Sequence, residues 1–142
     1  MPRVLISDKM AQQAENIFKQ NGIEVDVITG QSPEELKAII GQYDGLAIRS
    51  STTVTPEILE SATNLKIIAR AGIGTDNIDK VAATKHGVIV MNTPYGNMVT
   101  TAEHTVAMIM SLARSIPQAS ASTQKGEWPK SKYMGVELFN KT

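Results

Sequence analysis

The sequence predicts an α/β fold built on an open, all-parallel sheet of five strands. Short, nearly continuous apolar runs at 4–7, 45–48 and 65–69 are of the kind buried on both faces of a parallel sheet. Helix-opening signals or helical spacings stand between these runs. Strands that alternate with helices make right-handed crossovers, which lay the strands side by side in one direction.

The first strand is 4–7, and 10–20 is a helix in which Ala14, Ile17 and Phe18 recur at helical spacing before Asn21-Gly22 stops it. Residues 24–28 alternate polar and apolar, the pattern of a strand with one wet face at the sheet's edge. Ser32-Pro33-Glu34-Glu35 opens a second helix with a capping hydroxyl, proline at the first helical position and carboxylates near the positive end of the dipole; Leu36, Ile39 and Ile40 form its inner face. The third strand, 45–48, is followed by a helix that Thr55-Pro56-Glu57 opens by the same logic, with Leu59 inward. The fourth strand is 65–69. A helix over 78–86 follows, capped by Asp76 or Asn77, with Ile78, Val81 and Ala82 inward and Gly87 closing it; the fifth strand is 88–91. The predicted strand order is flavodoxin-like, 2-1-3-4-5.

Beyond Asn92-Thr93-Pro94-Tyr95-Gly96-Asn97 the alternation breaks. Thr100-Thr101-Ala102-Glu103 reads as a capping box for a helix over 100–116 that ends before Pro117, with an apolar stripe of Val106, Ile109, Met110 and Ala113. Only irregular pieces at 118–123, 125–130 and 136–139 follow. The organisation is one domain, 1–98, and the opening of a second, 99–142.

Composition narrows the function. In 142 residues there are no cysteines and two histidines, which excludes disulfides and thiolate metal sites and makes a histidine metal cluster a poor expectation. Fourteen basic and fourteen acidic residues cancel, which argues against nonspecific binding to nucleic acid or a membrane surface. No run approaches membrane-spanning length, and the chain reads as cytoplasmic.

Any anion site must therefore be local, and the strand ends supply one. Arg70 closes the fourth strand and runs into Ala71-Gly72-Ile73-Gly74, where missing side chains let backbone N–H groups approach an anion. Arg49 closes the third strand ahead of Ser50-Ser51-Thr52-Thr53, and Ser7-Asp8 closes the first. In open parallel sheets ligands bind beyond the carboxyl ends of the strands, so these clusters share a rim. A dinucleotide fingerprint is the tempting alternative. However, Asn77 stands where the third glycine belongs, and the fifth strand ends at Asn92 without the acidic residue that holds a ribose. His86 reads as a surface residue and His104 as structural, and Trp128 reads as packing or interface. An arginine at the end of the third strand, in place of an acceptor aspartate, disfavours a receiver module.

Taken together, Arg49 to Thr55, Arg70 to Asp79, Met91 to Asn97, Ala102 to His104 and Trp128 to Thr142 resemble the D-isomer-specific 2-hydroxyacid dehydrogenases. The similarity is greatest to the branch that oxidises 3-phosphoglycerate. The matching elements are Arg-Ser before Val-Thr, Arg-Ala-Gly before Gly, Asn-Thr-Pro before Gly-Asn, and Gly-x-Glu-Leu near the end. The resemblance implies a flavodoxin-like substrate domain followed by the opening helix and arm of a Rossmann domain. The implied activity is NAD-dependent oxidation of 3-phosphoglycerate to 3-phosphohydroxypyruvate in serine synthesis. By motif, Arg49 and Arg70 would be substrate-anion ligands, with Ser50, Gly72 and Asn97 lining the cleft. Ile73 would approach the cofactor through backbone or van der Waals contact only, and Lys130 and Lys132 would reach the neighbouring subunit's substrate.

The family's glycine-rich NAD turn and its catalytic arginine, glutamate and histidine are expected beyond the end of this chain, so the chain alone is expected to bind no NAD and to be inactive. Other short 2-hydroxy acids, glycerate or glyoxylate among them, suit the same arginines. A stand-alone module that captures small anions, or pairs with a longer homologue, is the alternative from another class. The resemblance and the stripe at 106–113 together imply a homodimer through 100–139.

Overall fold

The central strand and one of its neighbours bury their apolar side chains deeply. β3 (Gly45–Ile48) is buried at every position, and Ile68 at the middle of β4 (Ile67–Arg70) is fully buried. These and the following details come from a computed structural model that describes residues 1–141. Contacts divide the chain into two compact units, Met1–Asn97 and a second that begins at Met98.

In the first unit β1 (Arg3–Ile6), β2 (Glu24–Val27), β3, β4 and β5 (Ile89–Asn92) form one sheet in the order β2-β1-β3-β4-β5, every neighbouring pair parallel. This is the predicted topology. β2 lies at an edge, as its alternation requires, and β5 is the other edge, with Ile89 and Met91 more than half exposed. Successive side chains point to opposite faces. Leu5, Leu46, Ile48 and Ile68 thus meet α2 (Pro33–Ile39), α3 (Pro56–Ser61) and α4 (Lys80–Lys85) in the larger core, while Val4, Ile6 and Ala47 meet Ala14 and Phe18 of α1 (Gln12–Gln20) on the other face.

Local chemistry sets the helix starts. Ser32 accepts the N–H of Glu35 at 3.2 Å while the Glu35 carboxylate accepts the N–H of Ser32 at 2.8 Å, a complete capping box. Thr55 contributes no side-chain cap to α3; its hydroxyl instead bonds the Glu57 carboxylate and holds it below the usual carboxylate range. α4 starts two residues later than its sequence suggests. Asp79, not Asp76 or Asn77, caps it by accepting the N–H of Ala82 at 2.8 Å. Ile78 is held before the helix in a parallel bridge to Val54. Ile78 and Ala82 are buried as the sequence suggests, together with Ala83, but Val81 is 68% exposed, contrary to the sequence reading. Ile17 on α1 is likewise 57% exposed.

The second unit departs further. α5 (Met98–Ala113) begins before Thr100, so Thr100 and Glu103 lie inside the helix and form no capping box. The chain then passes through Ser115, which has a left-handed φ of 51°, and Pro117 lies in the first turn of a new helix, α6 (Ile116–Gln124), instead of ending the old one. The predicted irregular piece 118–123 is therefore helical. A 3₁₀ turn spans Lys130–Tyr133. Past it the Val136 N–H donates to the Ala113 carbonyl at 2.9 Å; this close return requires glycine at 135, where a Cβ would lie 2.4 Å from the Ala113 oxygen. α5 has no buried residue, and its exposed apolar side chains run well beyond the predicted stripe to include Val99, Met108 and Leu112. Among the described residues no helix is long and apolar enough to cross a membrane, and no group of histidines and carboxylates could hold a metal ion.

Candidate functional site

Parallel register places the carboxyl ends of β1, β3 and β4 at one rim. Ile48 pairs with Arg70, the Ser7 N–H donates to the Ala47 carbonyl at 3.0 Å, and the Ala71 N–H to the Ile48 carbonyl at 2.9 Å. Leaving the sheet, the chain passes at once into polar residues on all three strands.

Arg49 is exposed, its Nη1 donating to the Lys9 carbonyl at 3.2 Å. Its backbone is held from beneath. Asp8 is only 4% exposed, and its carboxylate accepts the Arg49 N–H at 2.5 Å, the Thr52 N–H at 3.2 Å and the Thr52 hydroxyl at 2.8 Å; the Ser7 and Thr52 hydroxyls are 2.9 Å apart. A carboxylate so deep persists because donors surround it. Ser50 stays exposed at the tip of this loop.

The Arg70 side chain is 12% exposed. Its Nε donates to the Arg49 carbonyl at 3.2 Å, Nη1 donates to the Gly74 carbonyl, and Asp76 Oδ1 lies 3.5 Å from Nη1. A Cβ at residue 74 would fall 2.7 Å from Nη1, whereas one at Gly72 would be in ordinary contact. Bareness is therefore needed at Gly74 to admit the guanidinium. The Gly72 N–H donates to the Arg70 carbonyl at 3.0 Å and the Gly72 carbonyl accepts from Thr93 at 3.0 Å, so this loop directs less of its backbone outward than its glycines suggested. Ile73 is 40% exposed and its carbonyl accepts from the Asn92 amide at 2.7 Å.

Asn77, read from the sequence as a candidate helix cap, has another role. Its amide donates to the Arg49 carbonyl at 2.8 Å and to the Thr52 carbonyl at 2.6 Å, tying the β4–α4 loop to the β3–α3 loop, while its Oδ1 is buried without a hydrogen-bond partner. The signal for Asp8 and Thr52 was their place within a few residues of a strand end.

The structure thus brings Arg49, Ser50, Arg70, Gly72 and Ile73 to one rim. Asn97 is exposed at the end of the first unit, and Lys130 and Lys132 lie exposed in the second, Lys132 Nζ 5.5 Å from the Tyr133 ring centroid. Beside Arg70, an apolar concavity of about 310 Å³ is lined by Met10, Phe18, Ala69 and Met91.

This arrangement of strand-end arginines on a 2-1-3-4-5 sheet coincides with a family match. Residues 4–131 match the D-isomer specific 2-hydroxyacid dehydrogenase catalytic domain. The chain belongs to that family. It is 46% identical over 140 residues to a D-3-phosphoglycerate dehydrogenase of Archaeoglobus fulgidus and, to the same degree, to the human protein of that name. These alignments cover 99% of this chain but 27% and 26% of the relatives, so the chain spans about a quarter of their length. Among solved structures of similar fold, the PH0520 protein of Pyrococcus horikoshii superposes with a TM-score of 0.84 at 35% identity, over 96% of this chain and 41% of that one. The NAD⁺-bound 3-phosphoglycerate dehydrogenase of Entamoeba histolytica superposes at 0.68 and 29% identity, over 80% of this chain and 39% of that one.

Proposed function

We propose that this 2-hydroxyacid dehydrogenase chain supplies the substrate side of an NAD-dependent enzyme that oxidises 3-phosphoglycerate to 3-phosphohydroxypyruvate, a cytoplasmic step toward serine. On this reading 1–98 is the amino-terminal part of the substrate domain and 99–142 opens the nucleotide domain, Thr142 lying outside the described residues. The observation that carries it is the junction of the two strand-end arginines, where Arg70 Nε bonds the Arg49 backbone at 3.2 Å. Two guanidinium groups at one rim suit a short acid with a carboxylate and a phosphate, because their planar forks match both groups. Arg49 is exposed to meet the ligand, Ser50 adds a hydroxyl, and Gly72 and Asn97 line the approach. Lys130 and Lys132 are mobile point charges suited to the phosphate of a neighbouring subunit's ligand. The named relatives, 44–46% identical across this chain, support the choice of substrate.

The hydride acceptor of such an oxidation would be supplied by NAD. The described residues do not form its cradle: Gly74 is backed by the Arg70 guanidinium, the Gly72 N–H is already donated, and Asn92 stands where a ribose-binding acid is needed. Ile73 offers backbone or van der Waals contact only. We therefore expect this chain alone to bind the acid without oxidising it, and NAD to leave its thermal midpoint unchanged. A module that captures short anions without turnover draws on the same observation.

The test is a titration of the ¹⁵N-labelled chain with 3-phosphoglycerate. Shifts should centre on Arg49, Ser50 and Arg70 and vanish in Arg70→Ala with the fold intact. Unchanged binding in that variant would remove the assignment.

A further inference from the structure

The loop that carries Arg49 and Ser50 is held by two residues of opposite hydrogen-bonding character. Asp8 can only accept, and it takes the backbone N–H groups of Arg49 and Thr52 together with the Thr52 hydroxyl. The Asn77 amide donates, and it meets the carbonyls of the same two residues, Arg49 and Thr52. Each residue sits on a different loop, 41 and 28 positions from Arg49, so neither contact is a local turn. The chemistries are not interchangeable. A carboxylate at 77 would face two carbonyl oxygens, and an apolar side chain at 8 would leave the Arg49 and Thr52 N–H groups without their acceptor.

From this complementarity we infer that Asp8 and Asn77 are a matched pair of positioning residues, fixing the Arg49–Thr52 loop in its ligand-ready shape from its N–H side and its C=O side. The inference rests on the proposed reading that the Arg49–Arg70 rim takes the acid substrate. Neither residue need touch that acid. Their contribution is that the loop is ordered before the ligand arrives, so that binding does not have to order it. Because Arg70 Nε shares the Arg49 carbonyl with Asn77, the clamp also sets the spacing of the two guanidinium groups.

The experiment uses the full chain, ¹⁵N-labelled, with 3-phosphoglycerate as the probe. In Asn77→Asp and Asp8→Ala the thermal midpoint should fall, because each leaves polar groups of the loop unpaired, the Arg49 and Thr52 amides should exchange faster, and affinity should fall about tenfold or more, as loss of these hydrogen bonds implies. Thr52→Val, which removes one donor to Asp8, should weaken binding, and Thr52→Ser should restore it; this pair decides the matter if the other variants do not fold. Wild-type affinity in all these variants, while Arg70→Ala loses binding, would overturn the clamp and leave the substrate reading standing. Wild-type affinity in Arg70→Ala, or no response of the unaltered chain to the probe, would overturn the substrate reading and the clamp's role with it.

Discussion

The Arg70 guanidinium crosses Gly74 so closely that a methyl group there would lie 2.7 Å from Nη1. The atoms it would meet, Arg70 Nη1 and Asp76 Oδ1, are ends of flexible side chains that can move aside. Gly74→Ala should therefore change stability by less than about 1 kcal/mol yet shift Arg70 and weaken 3-phosphoglycerate binding. Gly41 is the contrast, since a methyl there would meet the Ser61 backbone oxygen at 2.8 Å, which cannot yield without moving α3. Gly41→Ala should lose about 1–3 kcal/mol. Urea unfolding and ligand titration of both variants would check this, and a Gly74→Ala protein as unstable as Gly41→Ala would refute it.

The register of α4 makes a second prediction. Ala83 is fully buried and Val81 is 68% exposed, so Val81→Ala should fall within about 0.5 kcal/mol of the parent, while Ala83→Leu should lose about 1–3 kcal/mol by overpacking. Ile68→Ala, at the sheet's centre, should lose about 2–5 kcal/mol. Chemical denaturation of the three variants would show the order; a large loss at Val81 would restore the register the sequence suggested.

These residues also show what was legible beforehand. The sheet could be read because burial on both faces forces a continuous apolar run such as Gly45–Ile48, and Arg49 and Arg70 could be placed because parallel strands end at one rim. Val81 misled because side-chain apolarity was weighed without knowing that Asp79 fixes the helix start. Pro117 misled because proline both ends and begins helices, and only the left-handed residue at Ser115, which breaks the helix before it, decides which. The bridging role of Asn77 was hidden because its partners lie 28 and 25 residues away in sequence.

Tyr43 should shape the alkaline limit of stability. It is 3% exposed; burial first, and then its hydrogen bond to Asp26 Oδ2 at 2.9 Å, raises its phenol above the ordinary value of about 10. A group whose folded pKa lies above its unfolded one adds stability that is complete below the unfolded value and is lost as pH rises through the folded one. The chain should therefore lose stability above pH about 10 more steeply than Tyr43→Phe. Denaturant midpoints between pH 8 and 11 would measure this, and parallel profiles would show that the phenol carries no linked proton.

The last prediction concerns assembly. α5 has no buried residue, although Val99, Val106, Met108, Ile109, Met110 and Leu112 are apolar and about half exposed or more. A helix apolar nearly all round is a buried helix in search of its cover. Each such side chain gains on the order of 1.5–3 kcal/mol on burial, so the drive is large beside the few kcal/mol that hold a domain. A second copy is the partner always present at equal concentration, and a two-fold contact covers the same side chains on both chains at once. The chain should sediment as a dimer at micromolar concentration. Ile109→Glu with Met110→Glu should make it a monomer without unfolding the sheet, whose core clusters are built from other residues. A monomeric parent whose α5 amides resist hydrogen exchange would show that the helix is covered within its own chain and that the second copy is not needed.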